Sequence, residues 1–147
     1  MSALVFPSKE WCQRVASVLH PDPTVQAAAR DFGPVTAGCV IERGDGLKRD
    51  FCVLLEAGPD MAPKLTFCDD EDELEELEPD YMVWIAHKLA RELLEATLRG
   101  ERPDPLPLVT SGKVKFKGDL ARVMKVAPKH ADAGLASFRT IATTFLR

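Results

Sequence analysis

The chain has 147 residues, a length that a single domain, here residues 1–147, ordinarily fills. Hydrophobic residues make up 46% and charged residues 29%, a balance at which a soluble chain can build its own core. The net charge of −4 argues against a nucleic-acid partner, which requires bases to neutralise phosphates.

The elements follow in chain order. Pro7-Ser8 marks a helix start, with Ser8 as cap, and Trp11, Val15, Val18 and Leu19 fall on one face of that helix. His20-Pro21-Asp22-Pro23 breaks it, and Asp22 can cap a second short helix reaching about Arg30. From Val35 to Glu42 the side chains alternate, with Val35, Ala37, Cys39 and Ile41 on one face. Gly44-Asp45-Gly46 turns the chain into a second strand, Arg49 to Ala57, and Gly58-Pro59 stops it. Lys64 to Cys68 reads as a third strand, with Leu65 and Phe67 inward.

The segment DDEDELEELEPD, 69 to 80, is acidic enough to stay solvated as a turn or short helix. As a calcium loop it would offer Asp69, Glu71, Glu73 and Asp80, but Leu74 stands where the sharp turn needs glycine. Tyr81 to Ala86 lacks a polar face and reads as a strand covered on both sides, although Pro79-Asp80 could equally start a helix. His87 to Arg99 is helical, with Ala86, Leu89, Ala90, Leu93, Leu94 and Thr97 as its apolar face, and Gly100 ends it. Arg102 to Pro107 holds three prolines and reads as a loop; in Ser111–Lys117 beyond it Val114 and Phe116 point one way and Lys113, Lys115 and Lys117 the other, as on a half-exposed or edge strand. Gly118 turns the chain and Asp119 caps a helix carrying Leu120, Val123, Met124 and Ala127. After Pro128 a last helix is expected to align Ala131, Leu135, Phe138, Ile141 and Phe145. The layout is α+β, with helices on one face of a mostly antiparallel sheet.

Reactive chemistry is sparse. There is no Gly-x-Ser-x-Gly, no glycine-rich phosphate loop and no histidine pair at i, i+4. The cysteines, at 12, 39, 52 and 68, form no Cys-x-x-Cys pair, so no zinc is expected. They read as four reduced thiols of a cytoplasmic protein, with disulfides as the lesser alternative. Neither a signal peptide nor a run of about 18 apolar residues is found. From Ser111 onward bases outnumber acids. That can bring the C-terminal end transiently to an anionic membrane surface, or simply reflect a solvated edge.

SGKVKFKGDLARVMKV resembles the signature of the sterol carrier protein type-2 family: a Ser-Gly-Lys strand with alternating bases, Gly-Asp, then an amphipathic helix. LRGERPDPLPLVTSGK resembles the family's loop into that strand, through Gly100 and Asp104-Pro105. PDYMVWIA resembles its preceding strand, and FPSKEW with HPDPT resembles the N-terminal helix and break of stand-alone members. The chain departs in its acidic insertion at 69–80 and in a tail without a Ser-Lys-Leu ending. The resemblance implies a five-stranded, mostly antiparallel sheet roofed by helices around an apolar tunnel. It implies a non-enzymatic binder of sterols, fatty acids, acyl-coenzyme A or phospholipids, with no cofactor.

In that frame Phe51, Val53, Leu55, Val83 and Ile85, with Phe116, are expected to face Leu89, Leu93, Val123, Phe138 and Ile141 across the ligand space. The same residues would serve equally as a plain packed core. An empty tunnel of about 500 Å³ would cost on the order of 10 kcal/mol, so it must hold ligand or water or be narrowed by side chains. The alternative reading is a protein-interaction or homodimerisation module with Met82, Trp84 and Met124 as exposed anchors.

Overall fold

The computed structural model describes residues 3–146. It opens with a three-residue strand, β1 (Leu4–Phe6), followed by α1 (Lys9–Leu19) and α2 (Pro23–Phe32). Both helices start where the capping residues place them. Ser8 Oγ accepts from the Trp11 amide at 3.1 Å, and the Asp22 carboxylate accepts from the Thr24 amide at 2.8 Å. Then come β2 (Val35–Glu42), β3 (Phe51–Ala57), β4 (Lys64–Cys68), α3 (Glu71–Glu76), β5 (Tyr81–Ala86) and α4 (His87–Leu98). The last third holds α5 (Leu106–Thr110), β6 (Val114–Lys117), α6 (Leu120–Val126), a 3-10 turn (Ala127–His130), α7 (Leu135–Phe138) and β7 (Thr143–Phe145).

Five strands form one sheet in the order β4-β3-β2-β5-β6. Three of its pairings are antiparallel, as expected. The β2–β5 pair is parallel, which makes the sheet mixed. Register lines up whole rows of side chains. On the first face, Phe67, Val53, Cys39, Val83 and Phe116 stand in one row, and Phe51, Ile41, Ile85 and Val114 in the next. On the second face, Cys68, Cys52, Val40, Trp84 and Lys115 alternate with them. β6 is an edge strand with its lysines exposed and Val114 buried, as the alternation predicts.

The first face carries the larger core. Phe6, Trp11, Ile41, Ala90 and Ile141 are buried together, with Phe51, Ile85, Leu94, Phe138 and Phe145 packed around them. Trp11 meets Phe6 edge-on at 4.8 Å between ring centroids and Phe138 at 6.0 Å. The second face has a smaller core of Val40, Cys52, Leu54, Leu74 and Met82.

The structure corrects four expectations. The acidic segment is a short helix, as one of its two readings allowed, but it is not merely solvated. Leu74 is fully buried and pins α3 to the second face, so helices cover both sides of the sheet. Gly38 makes room for it: a Cβ there would lie 2.4 Å from Met82 Sδ and 3.2 Å from a Leu74 methyl. Met82 is therefore buried, and the Trp84 indole N–H donates to Glu71, so neither is a free surface anchor; of the three, Met124 alone is exposed. The last predicted helix is only α7, after which the chain extends into β7 and pairs in parallel with β1. The β-branched run at Ile141 and Thr143-Thr144 favours that extension, and the partner strand lies at the far end of the sequence.

The buried face of α4 is also rotated from the expected one. His87, Ala90 and Arg91 point inward, and Leu94 packs with them. The polar pair finds partners at the β2–β3 loop. His87 Nδ1 lies 2.9 Å from the Gly44 carbonyl oxygen, so that nitrogen carries the proton and donates. Arg91 pairs with the Asp45 carboxylate and donates to the Leu146 carbonyl at 3.1 Å. The same helix face thus ties down the hairpin loop and the C-terminal strand.

Candidate functional site: an apolar cavity beneath the first two helices

Away from the aromatic core, the first face of the sheet does not meet its helices. A cavity of about 500 Å³ lies between α1, α2 and strands β2 to β5. Trp11, Cys12, Val15, Ala16 and Leu19 come from α1, and Val25 and Ala29 from α2. Ala37 and Cys39 come from β2, Val53, Leu55 and Ala57 from β3, Leu65 from β4 and Val83 from β5.

The space has a simple cause. Along β2 the inward side chains shrink from Ile41 to Cys39 to Ala37. Along β3 they go from Phe51 through Val53 and Leu55 to Ala57. Above them α1 offers Ala16 and α2 offers Ala29, both short. Trp11 forms the boundary with the filled region. Its indole N–H donates to Thr143 Oγ1 at 3.1 Å, which leaves its apolar ring for the cavity.

Polar groups gather at one end. His20, Gln26 and Asp60 line the cavity and are exposed to solvent, as is Met61 beside them. This is the mouth. It is framed by the corner between α1 and α2 and by the β3–β4 loop, residues 58–63. The corner is anchored from below by α7: the Ser137 hydroxyl donates to Asp22 at 2.6 Å, and Thr24 Oγ1 accepts from the Gly134 amide at 2.9 Å. The Ser137 and Thr24 hydrogen bonds hold the Asp22 carboxyl down from 3.8 to about 2.

The walls are uncharged. Burial, with Cys39 nearby, pushes the Cys12 thiol up to about 12, and burial pushes Cys39 up to about 11. Both stay protonated at neutral pH and behave as small apolar groups with little nucleophilic character. Among the described residues no cluster of His, Cys, Asp or Glu is placed to hold a metal ion. No described helix is long and apolar enough to cross a membrane.

The structure distributes the sequence-predicted site residues unevenly. Val53, Leu55 and Val83 line the cavity. Phe51, Ile85, Phe138 and Ile141 belong to the packed core beside it. Phe116 lies against Tyr81 at 5.8 Å, which in turn meets Phe32 at 5.9 Å. Leu89 and Leu93 on α4 and Val123 on α6 are half-buried and contribute nothing to the lining. The lining residues missed are those of α1 and α2 and, on the strands, Ala37, Cys39, Ala57 and Leu65. Trp11, Val15 and Leu19 were legible as a helical stripe, but the short side chains of VQAAA, which leave the space, carry no periodic signal.

No family model and no curated protein sequence matches the chain. Solved structures do. A crystal structure of sterol carrier protein 2 superposes with a TM-score of 0.68 at 19% identity, covering 92% of this chain and 98% of that one. The solution structure of a conserved hypothetical protein from Thermus thermophilus gives 0.62 at 14% identity, covering 98% and 94%. A ubiquinone synthesis protein, UbiJ-SCP2, gives 0.51 at 13% identity, covering 92% and 96%. Similarity across nearly the whole of each chain gives this protein the fold of sterol carrier protein 2.

Proposed function

We propose that this chain is a divergent relative of sterol carrier protein 2 that binds and carries an apolar small molecule, without catalysis, in the cavity beneath α1 and α2. The observation that carries the reading is the cavity itself: about 500 Å³, walled by aliphatic, aromatic and protonated thiol groups, with its polar residues only at the mouth. Kept empty and dry, such a volume would cost on the order of 10 kcal/mol, comparable with the whole stability of a domain. A ligand burying about 300 Å² of apolar surface would recover roughly 7–8 kcal/mol before ordering costs, which points to micromolar affinity. Two of the similar structures, a sterol carrier protein and a ubiquinone synthesis protein, are named for lipid-like molecules, which agrees with such a ligand here. A cytoplasmic site of action and transient contact with anionic membrane through the basic C-terminal quarter belong to the same proposal.

The test is ligand capture and its loss on filling the cavity. Native mass spectrometry of the gently purified chain should show a bound lipid, and a neutral apolar dye should bind with gain of fluorescence. Ala37→Phe, which places a ring in the cavity from the central strand, should weaken dye binding at least about tenfold while leaving the circular dichroism intact. Protein that carries no lipid and binds no dye would overturn the reading.

A further inference from the structure

The mouth of the cavity is chemically one-sided. Its lining holds three side chains with an imidazole, amide or carboxylate end, His20, Gln26 and Asp60, and no lysine or arginine. Gln26 already spends an amide proton on the His20 carbonyl oxygen at 3.1 Å. Asp60 sits in the 58–63 loop in a left-handed conformation, with φ of 59°, and brings a carboxylate to the rim. Asp60 is exposed, so water and salt screen its charge and it acts on a head group that comes within hydrogen-bonding reach of the rim.

From this asymmetry we infer that the cavity selects amphiphiles whose polar end is an uncharged hydrogen-bond donor, and discriminates through Asp60 against those ending in a carboxylate. The inference rests on the carrier reading and narrows its ligand. An alkyl chain entering toward Trp11 leaves its head group at the mouth. A hydroxyl there can donate to Asp60. A carboxylate meets like charge, and no lysine or arginine of the lining compensates it.

The experiment compares 1-dodecanol with dodecanoate as competitors of the bound neutral dye, at pH 8, where an imidazole in water is uncharged. An alcohol leaves water more readily than a carboxylate in any case, so the decisive quantity is how the ratio of the two affinities changes on mutation. Asp60→Asn keeps a residue that tolerates the left-handed backbone and removes the charge. It should tighten dodecanoate about threefold to tenfold and move dodecanol less than about twofold. An unchanged ratio, or a native protein that prefers dodecanoate, overturns the inference and leaves the carrier reading standing. Failure of the dye and of both chains to bind overturns the carrier reading, and this inference with it.

Discussion

At the end of the sheet nearest the β2–β3 loop, Phe51, Ile41 and Ile85 lie among Phe6, Trp11, Phe138 and Ile141. At the other end of the same face, Leu55, Ala37 and Ala57 lie below Ala16, Leu19, Val25 and Ala29, and a cavity remains. The backbone pairing is continuous between the two ends. What differs is the volume of the side chains it presents. Aromatic rings and Ile41 complete the interior at the closed end, where His87 and Arg91 also fasten the hairpin loop to α4. Alanines and a cysteine leave it incomplete at the open end, where the helices rest on the Asp22 corner instead of on packed side chains. A binding site therefore needs no distortion of the fold. It needs small residues at a few inward positions and a frame that stays standing without them.

The largest expected effect separates the two ends directly. Ile41→Ala removes a buried side chain from the closed end and should cost about 2–5 kcal/mol in urea unfolding, with dye affinity changed less than about threefold. Leu55→Ala, beside existing space, should cost roughly 1 kcal/mol or less and alter dye affinity more. Equal stability losses at the two positions would remove the distinction.

Thiol chemistry offers the next test. With Cys12 at about 12 and Cys39 at about 11, alkylation by iodoacetamide at pH 7.5 should run about a hundredfold slower than for a free cysteine. Site-resolved mass spectrometry would follow it, and bound ligand should slow it further. The folded-state values lie above the ordinary one, so the stability these thiols contribute is complete below about pH 9 and is lost as pH rises toward 11–12.

Gly38 lines the cavity with its backbone, but the side chain of Gly38→Val would enter the opposite face; it should cost about 1–3 kcal/mol by crowding Leu74 and Met82, and should leave dye binding intact. Loss of binding would mean that the two faces are coupled.

The smallest effect concerns the frame. Asp22 titrates at about 2 instead of 3.8, so its contribution is present above about pH 4 and disappears as pH falls toward 2. Thermal melts of the native chain and of Ser137→Ala should differ at pH 7 and converge near pH 2.

Much of the architecture was legible locally. Ser8, Asp22 and Asp119 announced three helix starts, and each accepts the amide hydrogen bond expected of a cap. Gly118 announced the turn after β6; a Cβ there would lie 2.4 Å from the Tyr81 ring. The unbroken apolar run of Tyr81 to Ala86 fitted a covered strand or a helix begun at Pro79-Asp80 equally well; it is a strand, with Leu74 and Met82 packing on one side and Phe116 against Tyr81 on the other. Less of the site was legible. Val53, Leu55 and Val83 could be placed on the inward face by alternation alone. The same reasoning placed Phe51 and Ile85 there too, and nothing in either strand tells a lining residue from a packed one. β1 and β7 escaped notice because three residues are too few to show a period.

The sequence by itself determined where the capped helices and the longer strands lie, which strand side chains share a face, and that reactive groups are scarce, because capping, alternation and charge act between near neighbours in the chain. The tertiary structure alone decided that α3 seals the second face, that β7 joins β1, and that one end of the first face stays hollow. Those outcomes depend on the summed volume of side chains from distant segments meeting in one place, and that sum exists only once the chain has folded.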